Sequence, residues 1–360
     1  MIMQPKLSII ICVRNEERYI AECIESMHLA DNPQWEAIII NDASTDATLE
    51  IINSFAQKHA NLRCYSLTHN MGPGNARNFA IMLARGEYIA FLDADDYIDA
   101  AVLAEKMRVI DAGADVLISG HSRLFDHGTS AIAIEAGALS GHAAACLYLR
   151  RKLGTWASWI LISRRDHLLQ NNCFFASGVY SEDVTFCFKT LYTAGKIIAD
   201  PTPFYTYRSY NDSATRGGGV TPLHLMSAAR LNFDLVQILQ TKPENDQLQA
   251  AFTRACDFLV QESLPRIEKL LQQDMHSLSE EFFSEFMYYI KYCDTPFSHA
   301  VLSIMQSHSG SFLHDNSRSF RHPRSQGVIS SFRRAAVWIG RALVYIRRQA
   351  ARRAGKNRSG

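Results

Sequence analysis

The chain has 360 residues, of which 47% are hydrophobic and 20% are charged, and its formal net charge is +1. This length allows two domains, or one large domain with an appendage, and the composition is typical of a globular protein. The near-zero charge gives no indication of nucleic-acid binding, and the sequence contains no recognisable nucleic-acid-binding module, so no nucleic-acid partner is expected.

The cysteines and the apolar runs indicate the cellular compartment of the protein. Eight cysteines show neither a Cys-x-x-Cys pair nor regular spacing, which predicts reduced, buried thiols rather than a disulfide framework. The apolar run Leu7–Val13 is followed at once by charged residues, unlike a secretory signal peptide. No run approaches the ~20 apolar residues that cross a bilayer. We therefore expect a cytoplasmic protein.

Strands and helices alternate through the first hundred residues. The near-continuous apolar run Leu7–Val13 predicts a strand covered on both faces, and further strands are predicted at Ala37–Ile40, Cys64–Leu67 and Tyr88–Leu92. Segments with apolar residues at helical spacing separate these strands. The alternation predicts an α/β fold with a mostly parallel, doubly wound sheet and right-handed crossovers.

Polar segments follow each predicted strand, and the carboxyl ends of parallel strands form the ligand crevice of an open α/β sheet. These segments are Arg14–Glu16, Asp42–Asp46, Gly72–Arg77 and Asp93–Asp96. The Gly72-x-Gly74 pair does not indicate a dinucleotide cofactor, because the third glycine is missing and the pair follows the third strand. Arg77 is either a ligand for an anionic or planar group or a solvated helix residue.

The fourth strand ends in three carboxylates, Asp93, Asp95 and Asp96. Carboxylates packed together raise one another's proton affinity unless a cation neutralises them, and their oxygens suit Mg²⁺ or Mn²⁺. The alternative is that Asp96 or Asp99 caps the helix that follows.

Together, the four polar segments resemble glycosyltransferase family 2. The matching motifs are Val13-Arg14-Asn15-Glu16, Asn41-Asp42-Ala43-Ser44-Thr45-Asp46, Asn70-Met71-Gly72 with Ala76-Arg77-Asn78, and Gly86-Glu87-Tyr88 with Asp93-Ala94-Asp95-Asp96. The resemblance implies a GT-A (Rossmann-like) fold, with a mostly parallel twisted sheet flanked by helices. It also implies inverting transfer of a hexose or N-acetylhexosamine from a nucleoside-diphosphate sugar, with a UDP-sugar favoured.

The same resemblance implies roles for individual residues. Asp42 contacts the uracil base, Val13 and Glu16 border the nucleoside, and Asp93 faces the ribose or the donor sugar. Asp93-Ala94-Asp95 is then the DxD motif, in which Asp95 holds a divalent cation, Mn²⁺ or Mg²⁺. The expected donor-binding residues are Val13, Asn15, Glu16, Asp42, Asn70, Gly72, Arg77, Asp93, Ala94, Arg208 and Arg216.

A second acidic pair, Glu182-Asp183, opens an amphipathic helix after a predicted aromatic strand at Trp156–Ile162. Acids at a helix N-terminus also complement the helix dipole, which is the alternative explanation. The resemblance favours Asp183 as the general base that accepts the proton of the acceptor hydroxyl, with Glu182 orienting the acceptor. Trp156 or Trp159 either stacks on the acceptor sugar or belongs to the core.

Two more strands are predicted, at Ala114–Ser119 and Pro203–Tyr207. The Tyr-Arg pair at 207–208 and the Ser-x-Thr at 213–215 match a pattern with which the family often ends its catalytic domain. We therefore expect Arg208 or Arg216 to close over the diphosphate. The glycines at 217–219 either give a lid its hinge or belong to an ordinary linker.

The pattern divides the chain into four parts: a catalytic domain at 1–220, a helical region at 221–306, a polar linker at 307–330 and a basic amphipathic tail helix at 331–360. The tail helix suits an anionic membrane surface, and a helix docked on protein is the alternative. We therefore expect a peripheral location on the cytoplasmic face of the inner membrane, where a lipid-linked acceptor would be found.

The sequence thus predicts a metal-dependent glycosyltransferase of cell-surface polysaccharide synthesis, acting on a saccharide or lipid-linked acceptor. The alternative is a catalytically degenerate nucleotide-sugar-binding or scaffold protein of a polysaccharide assembly complex. A degenerate protein would be expected to lose Asp95 or Asp183, and both acids are present.

Overall fold

The computed structural model describes residues 4–110, 113–125, 128–132, 134–150, 157–209 and 221–240, together with short pieces between 246 and 301. The chain divides into two compact units, Met1–Gly219 with Asp234–Ala255, and Val220–Phe233 with Cys256–Gly360. All of the elements up to β10 below belong to the first unit. The predicted linker and tail lie outside the described residues.

The first unit begins with the predicted alternation of strands and helices. Its elements are β1 (Leu7–Val13), α1 (Ile20–Ser26), β2 (Trp35–Asn41), α2 (Thr48–Ala56), β3 (Leu62–Ser66), α3 (Pro73–Leu83) and β4 (Tyr88–Phe91). Strands β2 and β4 are buried along their whole length, and β1 is buried at all positions but one. These strands are almost uniformly apolar because helices cover both faces of the sheet.

The elements that follow complete the sheet. They are β5 (Tyr97–Ile98), α4 (Ala100–Ile110), β6 (Val116–Phe125), β7 (Gly128–Ile132), β8 (Gly137–Leu139), α5 (Gly141–Leu149), β9 (Leu161–Arg164), α6 (Arg165–Gln170), α7 (Asp183–Thr193) and β10 (Ile197–Arg208). Helix α8 (Pro222–Leu239) comes next. Among the described residues, no helix is both long and apolar enough to span a membrane.

The strand order is β3-β2-β1-β4-β9-β6-β10-β5, with β7 beside β6 and β8 beside β10. Strands β1, β2, β3 and β4 pair in parallel, whereas β9 is antiparallel to both of its neighbours, β4 and β6. Because β9 is antiparallel to both β4 and β6, β6 runs in the same direction as β4, and so does β10, the parallel partner of β6. The predicted α/β fold is confirmed as a mixed sheet, and the carboxyl ends of β1, β2, β4, β6 and β10 share one edge.

Strands β2, β3 and β4 lie within two residues of their predicted bounds, whereas three later strands differ more. Strand β6 continues to Phe125 instead of ending at Ser119, and β10 begins at Ile197 instead of Pro203. Within the aromatic strand predicted at Trp156–Ile162, Ser158–Ile160 form a 3₁₀ turn instead, and only Leu161 and Ile162 lie in a strand, β9. The apolar residues of that turn are buried, and this burial produced the strand-like pattern.

Candidate active site

The loops after β1, β2 and β3 are tied together by Asp42. Its amide donates to the carbonyl oxygen of Val13 at 2.8 Å. Its carboxylate accepts from the amides of Met71 at 2.7 Å and Gly72 at 2.9 Å. Gly72 has a φ of +80°, a conformation that favours glycine, and its amide also donates to the side chain of Asn70. Asp42, Asn70 and Gly72, three of the predicted donor-binding residues, therefore form one hydrogen-bonded rim.

Asn15 and Glu16 form the corner after β1. Asn15 has a φ of +57°, and its side-chain oxygen accepts from the amide of Thr45 at 2.8 Å. Burial raises the pKa of Glu16 to about 7, and the negative charges of Asp95 and Asp46 add to this shift. The contribution of Asp95 links Glu16 electrostatically to the DxD motif, which comes from a different strand.

Arg77 joins the two halves of the site. Its guanidinium donates to Oδ1 of Asp93 at 2.8 Å and to Oε1 of Glu182, which lies 105 residues later in the chain. The same group lies over the ring of Phe175, 5.3 Å from its centroid. Arg77 is only 11% exposed, so these ion pairs form away from bulk water. The solvated alternative for Arg77 is thereby excluded.

Helix α3 lies unusually close to the segment before α7, because Gly74 has no side chain. A Cβ at Gly74 would lie 2.5 Å from the carbonyl oxygen of Ala176 and 3.2 Å from Cγ of Glu182. Asn78 fastens the same contact with two hydrogen bonds to the backbone of Phe175, at 2.8 and 2.9 Å. Asn78 belongs to a matched motif, but its role could not be predicted from the sequence, because its partner is 97 residues away.

Asp183 is the first residue of α7 and is partly buried. Its Oδ2 accepts a hydrogen bond from the amide of Ser158 at 3.3 Å. Burial raises the pKa of Asp183 to about 7, with a further contribution from Glu182, while Arg77 opposes the shift. A carboxyl group that titrates near neutral pH is well suited to general-base catalysis.

Asp93 and Asp95 differ in what they contact. Asp93 is paired with Arg77, whereas Asp95 has no ion-pair partner in the described part of the chain. Burial and the charge of Asp93 raise the pKa of Asp95, opposed by the charge of Arg208. Ala94, between the two acids, is 4% exposed.

The carboxylate oxygens of Asp93 and Asp95 suit a hard divalent cation that keeps open positions for a ligand's phosphates. No group of three or more His, Cys, Asp or Glu side chains among the described residues could hold a metal by itself.

Asp96 is fully buried and holds the DxD loop against β10. Its carboxylate accepts from the hydroxyl of Tyr205 at 2.5 Å and from the amide of Arg208 at 2.7 Å. The amide of Asp93 donates to the same tyrosine hydroxyl at 3.2 Å. Helix capping belongs to Asp99 instead, which accepts from the amide of Val102. The alternative of a simple cap thus holds for Asp99 and fails for Asp96.

Arg208 lies at the end of β10 and is 8% exposed. Its guanidinium lies 2.6 Å from the carboxylate of Glu22 and is flanked by the rings of Tyr19 and Tyr97. Its ion pair with Glu22 keeps it from extending into solvent, and its charge opposes the rise in the pKa of Asp95. Arg216, the other predicted diphosphate ligand, lies outside the described residues.

Trp159 packs in an aromatic cluster beside the site. Its ring stacks on Tyr205 at 4.3 Å and on Tyr207 at 5.8 Å between centroids, and the ring of His121 meets it edge-on at 4.9 Å. The indole is 7% exposed, as in a core tryptophan. Trp156 lies outside the described residues.

Residues 8–181 match the family model of glycosyl transferase family 2. The match contains the three loops and the DxD motif, and it ends one residue before Glu182.

Two curated relatives are similar over much of the chain. The uncharacterized glycosyltransferase YibD of Escherichia coli (strain K12) is 28% identical over 238 residues, which are 63% of this chain and 67% of YibD. The poly(ribitol-phosphate) β-N-acetylglucosaminyltransferase TarS of Staphylococcus aureus (strain MW2) is 29% identical over 259 residues. That alignment covers 69% of this chain but only 43% of TarS.

A solved structure has the same fold. The crystal structure of S. aureus TarS 1-349 in complex with UDP-GlcNAc superposes with a TM-score of 0.64 at 22% identity, covering 84% of this chain and 85% of the other. Family model, strand order and superposition agree. Residues 8–181 therefore form a glycosyl transferase family 2 domain, and the first unit has the GT-A fold.

Proposed function

We propose that this protein is an inverting, metal-assisted glycosyltransferase that moves a sugar from a nucleoside-diphosphate sugar to a hydroxyl of a saccharide or lipid-linked acceptor. The observation that carries the proposal is the Arg77 bridge, because it joins Asp93 of the DxD motif to Glu182, the neighbour of Asp183. One arginine therefore links the donor-side acids to the segment that carries the candidate base.

The proposed reaction is a single displacement. The acceptor oxygen attacks the anomeric carbon while the bond from that carbon to the diphosphate oxygen breaks, and the acceptor proton passes to Asp183. Glu182, fixed by Arg77, orients the acceptor. A divalent cation bound through Asp95 would neutralise charge on the departing diphosphate. Arg208 lies close enough to Asp95 to contribute to the same field.

The donor is proposed to be a UDP-sugar carrying a hexose or N-acetylhexosamine. Support comes from TarS, which is named as an N-acetylglucosaminyltransferase and whose structure holds UDP-GlcNAc. UDP-GlcNAc and UDP-glucose are therefore the first donors to test. The acceptor is proposed to belong to a cell-surface polysaccharide.

The test is release of nucleoside diphosphate from a panel of nucleotide sugars, with Mn²⁺, Mg²⁺ or EDTA present. We expect Asp183→Asn to abolish transfer while keeping donor affinity within about threefold, because the base acts on the acceptor. Asp95→Asn should instead weaken Mn²⁺-dependent donor binding by at least about tenfold. Asp166→Asn, an exposed acid in the first turn of α6, is the matched control. Equal loss of donor affinity in both site variants would contradict these roles.

The alternative function is nucleotide-sugar binding without turnover, within a polysaccharide assembly complex. Such binding would use the same donor-binding residues but would not require Asp183. Donor binding by calorimetry, with no nucleoside diphosphate released for any acceptor mixture, would favour this alternative.

We also propose that the tail at 331–360 binds an anionic membrane surface, an inference that rests on its sequence alone. The full chain should sediment with vesicles containing phosphatidylglycerol and not with phosphatidylcholine vesicles. Replacing Arg334, Arg341 and Arg348 together with Gln should remove this difference. Unchanged sedimentation of that variant would contradict membrane binding.

A further inference from the structure

Two nitrogen atoms on β6 are buried without a hydrogen-bond partner in the part of the chain that the structure describes. They are Nε2 of His121, a residue that is 1% exposed, and Nε of Arg123, which is partly buried. No described carboxylate forms an ion pair with Arg123. Buried polar atoms in native proteins are nearly always paired, so two such atoms two residues apart mark a candidate ligand site.

Both residues belong to the aromatic cluster around Trp159. In the parallel pair of β6 and β10, His121 lies opposite Tyr205 and Arg123 lies opposite Tyr207. Paired residues of adjacent strands project from the same face of a sheet. The guanidinium of Arg123 is 6.0 Å from the centroid of the Tyr207 ring, and Tyr207 is partly exposed. The cluster therefore presents a cation beside a flat apolar ring.

This cluster lies next to the candidate base. The hydroxyl of Tyr205 contacts both Asp96 and the amide of Asp93, and the residue before Trp159 donates its amide to Asp183. Arg123 is two residues further along β6 than His121, or about 7 Å nearer the carboxyl edge, where the crevice opens. A chain of contacts through Ser158, Trp159 and Tyr207 thus joins the base to Arg123.

We propose that Arg123 is an anion-binding subsite for the acceptor, so that the acceptor carries a phosphate or carboxylate group near the hydroxyl that reacts. This inference rests on the proposed function and names its acceptor class. The guanidinium fork binds either anion with two hydrogen bonds, and the ring of Tyr207 covers the apolar face of the adjoining sugar or polyol. Burial and the charge of Arg123 lower the pKa of His121 to about 4, so at neutral pH its neutral ring has one N–H to donate.

The test compares three probes that differ in one group: methyl glucoside, its 6-phosphate and methyl glucuronoside. Each is titrated calorimetrically into the full chain, which is first saturated with UDP and Mg²⁺ so that the donor side is filled. We expect the two anionic probes to bind at least about tenfold more tightly than the neutral one, the gain typical of charge-assisted hydrogen bonds. A preference for the phosphate alone or for the glucuronoside alone would identify the natural anion.

Three variants assign the preference to Arg123. Arg123→Gln should remove it, and Arg123→Lys should keep part of it. Ser130 on β7 lies opposite Arg123 and is exposed, so Ser130→Glu should also remove it by pairing with the arginine, leaving Arg123 itself unchanged. Arg108→Gln, an exposed arginine of α4, is the control.

An anion preference that survives in both Arg123→Gln and Ser130→Glu would overturn the inference, as would equal binding of all three probes to the unaltered chain. UDP binding is recorded in the same titrations. If UDP binds and no anion preference exists, only this inference fails. If UDP does not bind, the proposed donor is wrong.

Discussion

Asp183→Asn should remove transfer activity and at the same time stabilise the fold. The pKa of this carboxyl is about 7 in the folded protein, against an ordinary value of 3.8. The folded state therefore favours the neutral form, so ionisation of Asp183 lowers the stability of the fold. This loss is absent below about pH 4, grows as pH rises and is complete above about pH 7. Asparagine resembles the neutral acid and can still accept the hydrogen bond from the Ser158 amide.

The magnitude follows from the two pKa values. The interval from 3.8 to about 7 corresponds to about 4 kcal/mol above pH 7, at about 1.4 kcal/mol for each pH unit. Losing a carboxylate from the first turn of α7 removes about 1 kcal/mol of dipole interaction, which leaves a gain of about 3 kcal/mol. At pH 4.5 the same calculation gives about 1 kcal/mol before the lost dipole interaction is subtracted, so the variant gains almost no stability there.

The assay is the thermal midpoint of the full chain at pH 8.5 and pH 4.5. A gain of about 3 kcal/mol in a unit of this size corresponds to a rise of about 6 to 12 °C at pH 8.5, with little change at pH 4.5. Asp166→Asn, exposed and also at the start of a helix, should show no such pH-dependent rise. The reasoning would be refuted by a variant less stable than the parent at pH 8.5, or by a stability difference independent of pH. Either result would mean that ionisation of Asp183 does not destabilise the fold.

Three further predictions concern the same pocket. The rate of transfer at saturating donor should rise with pH around a midpoint near 7, because Asp183 must be ionised to accept a proton; a flat profile from pH 5 to 9 would exclude it as the base. Arg77→Lys should lower kcat/KM at least about tenfold, because an ammonium group cannot span Asp93 and Glu182 as the guanidinium does, whereas Arg108→Lys should have no effect. Gly74→Ala should destabilise the first unit by about 1–3 kcal/mol in urea unfolding, since its methyl group would meet the Ala176 carbonyl; Met82→Ala, on the exposed side of α3, is the control, and equal effects of both would contradict close packing.

Most of the first half of the fold is encoded locally and could be predicted. Strands β1, β2 and β4 are covered on both faces, so each is a continuous apolar run that reveals its position. The polar loops follow directly from those strand ends. Even so, the role of Asp42 in holding the amides of Met71 and Gly72 depends on the neighbouring loop, which no local pattern describes.

The second half could not be predicted to the same depth. Nothing in Leu161–Arg164 signals that β9 runs antiparallel to β4, because a short buried strand looks the same in either direction. The same limit applies to Tyr205, whose hydroxyl reaches an acid 109 residues away, and to Arg123, which lies beyond the predicted end of its strand. Contacts between residues so far apart in the chain depend on the order and direction of the strands in the sheet, which no local pattern specifies.

The span of the Arg77 bridge sets a lower bound on any active fragment. A polypeptide released from the ribosome before residue 182 would carry the four polar loops of the first four strands and a complete match to the family model. Its Arg77 guanidinium would still lack the second acid, Glu182. Shortened versions made for crystallisation or expression must therefore extend at least through α7. Chimaeras that exchange one half of this unit for a relative's must likewise restore an acid able to reach that arginine.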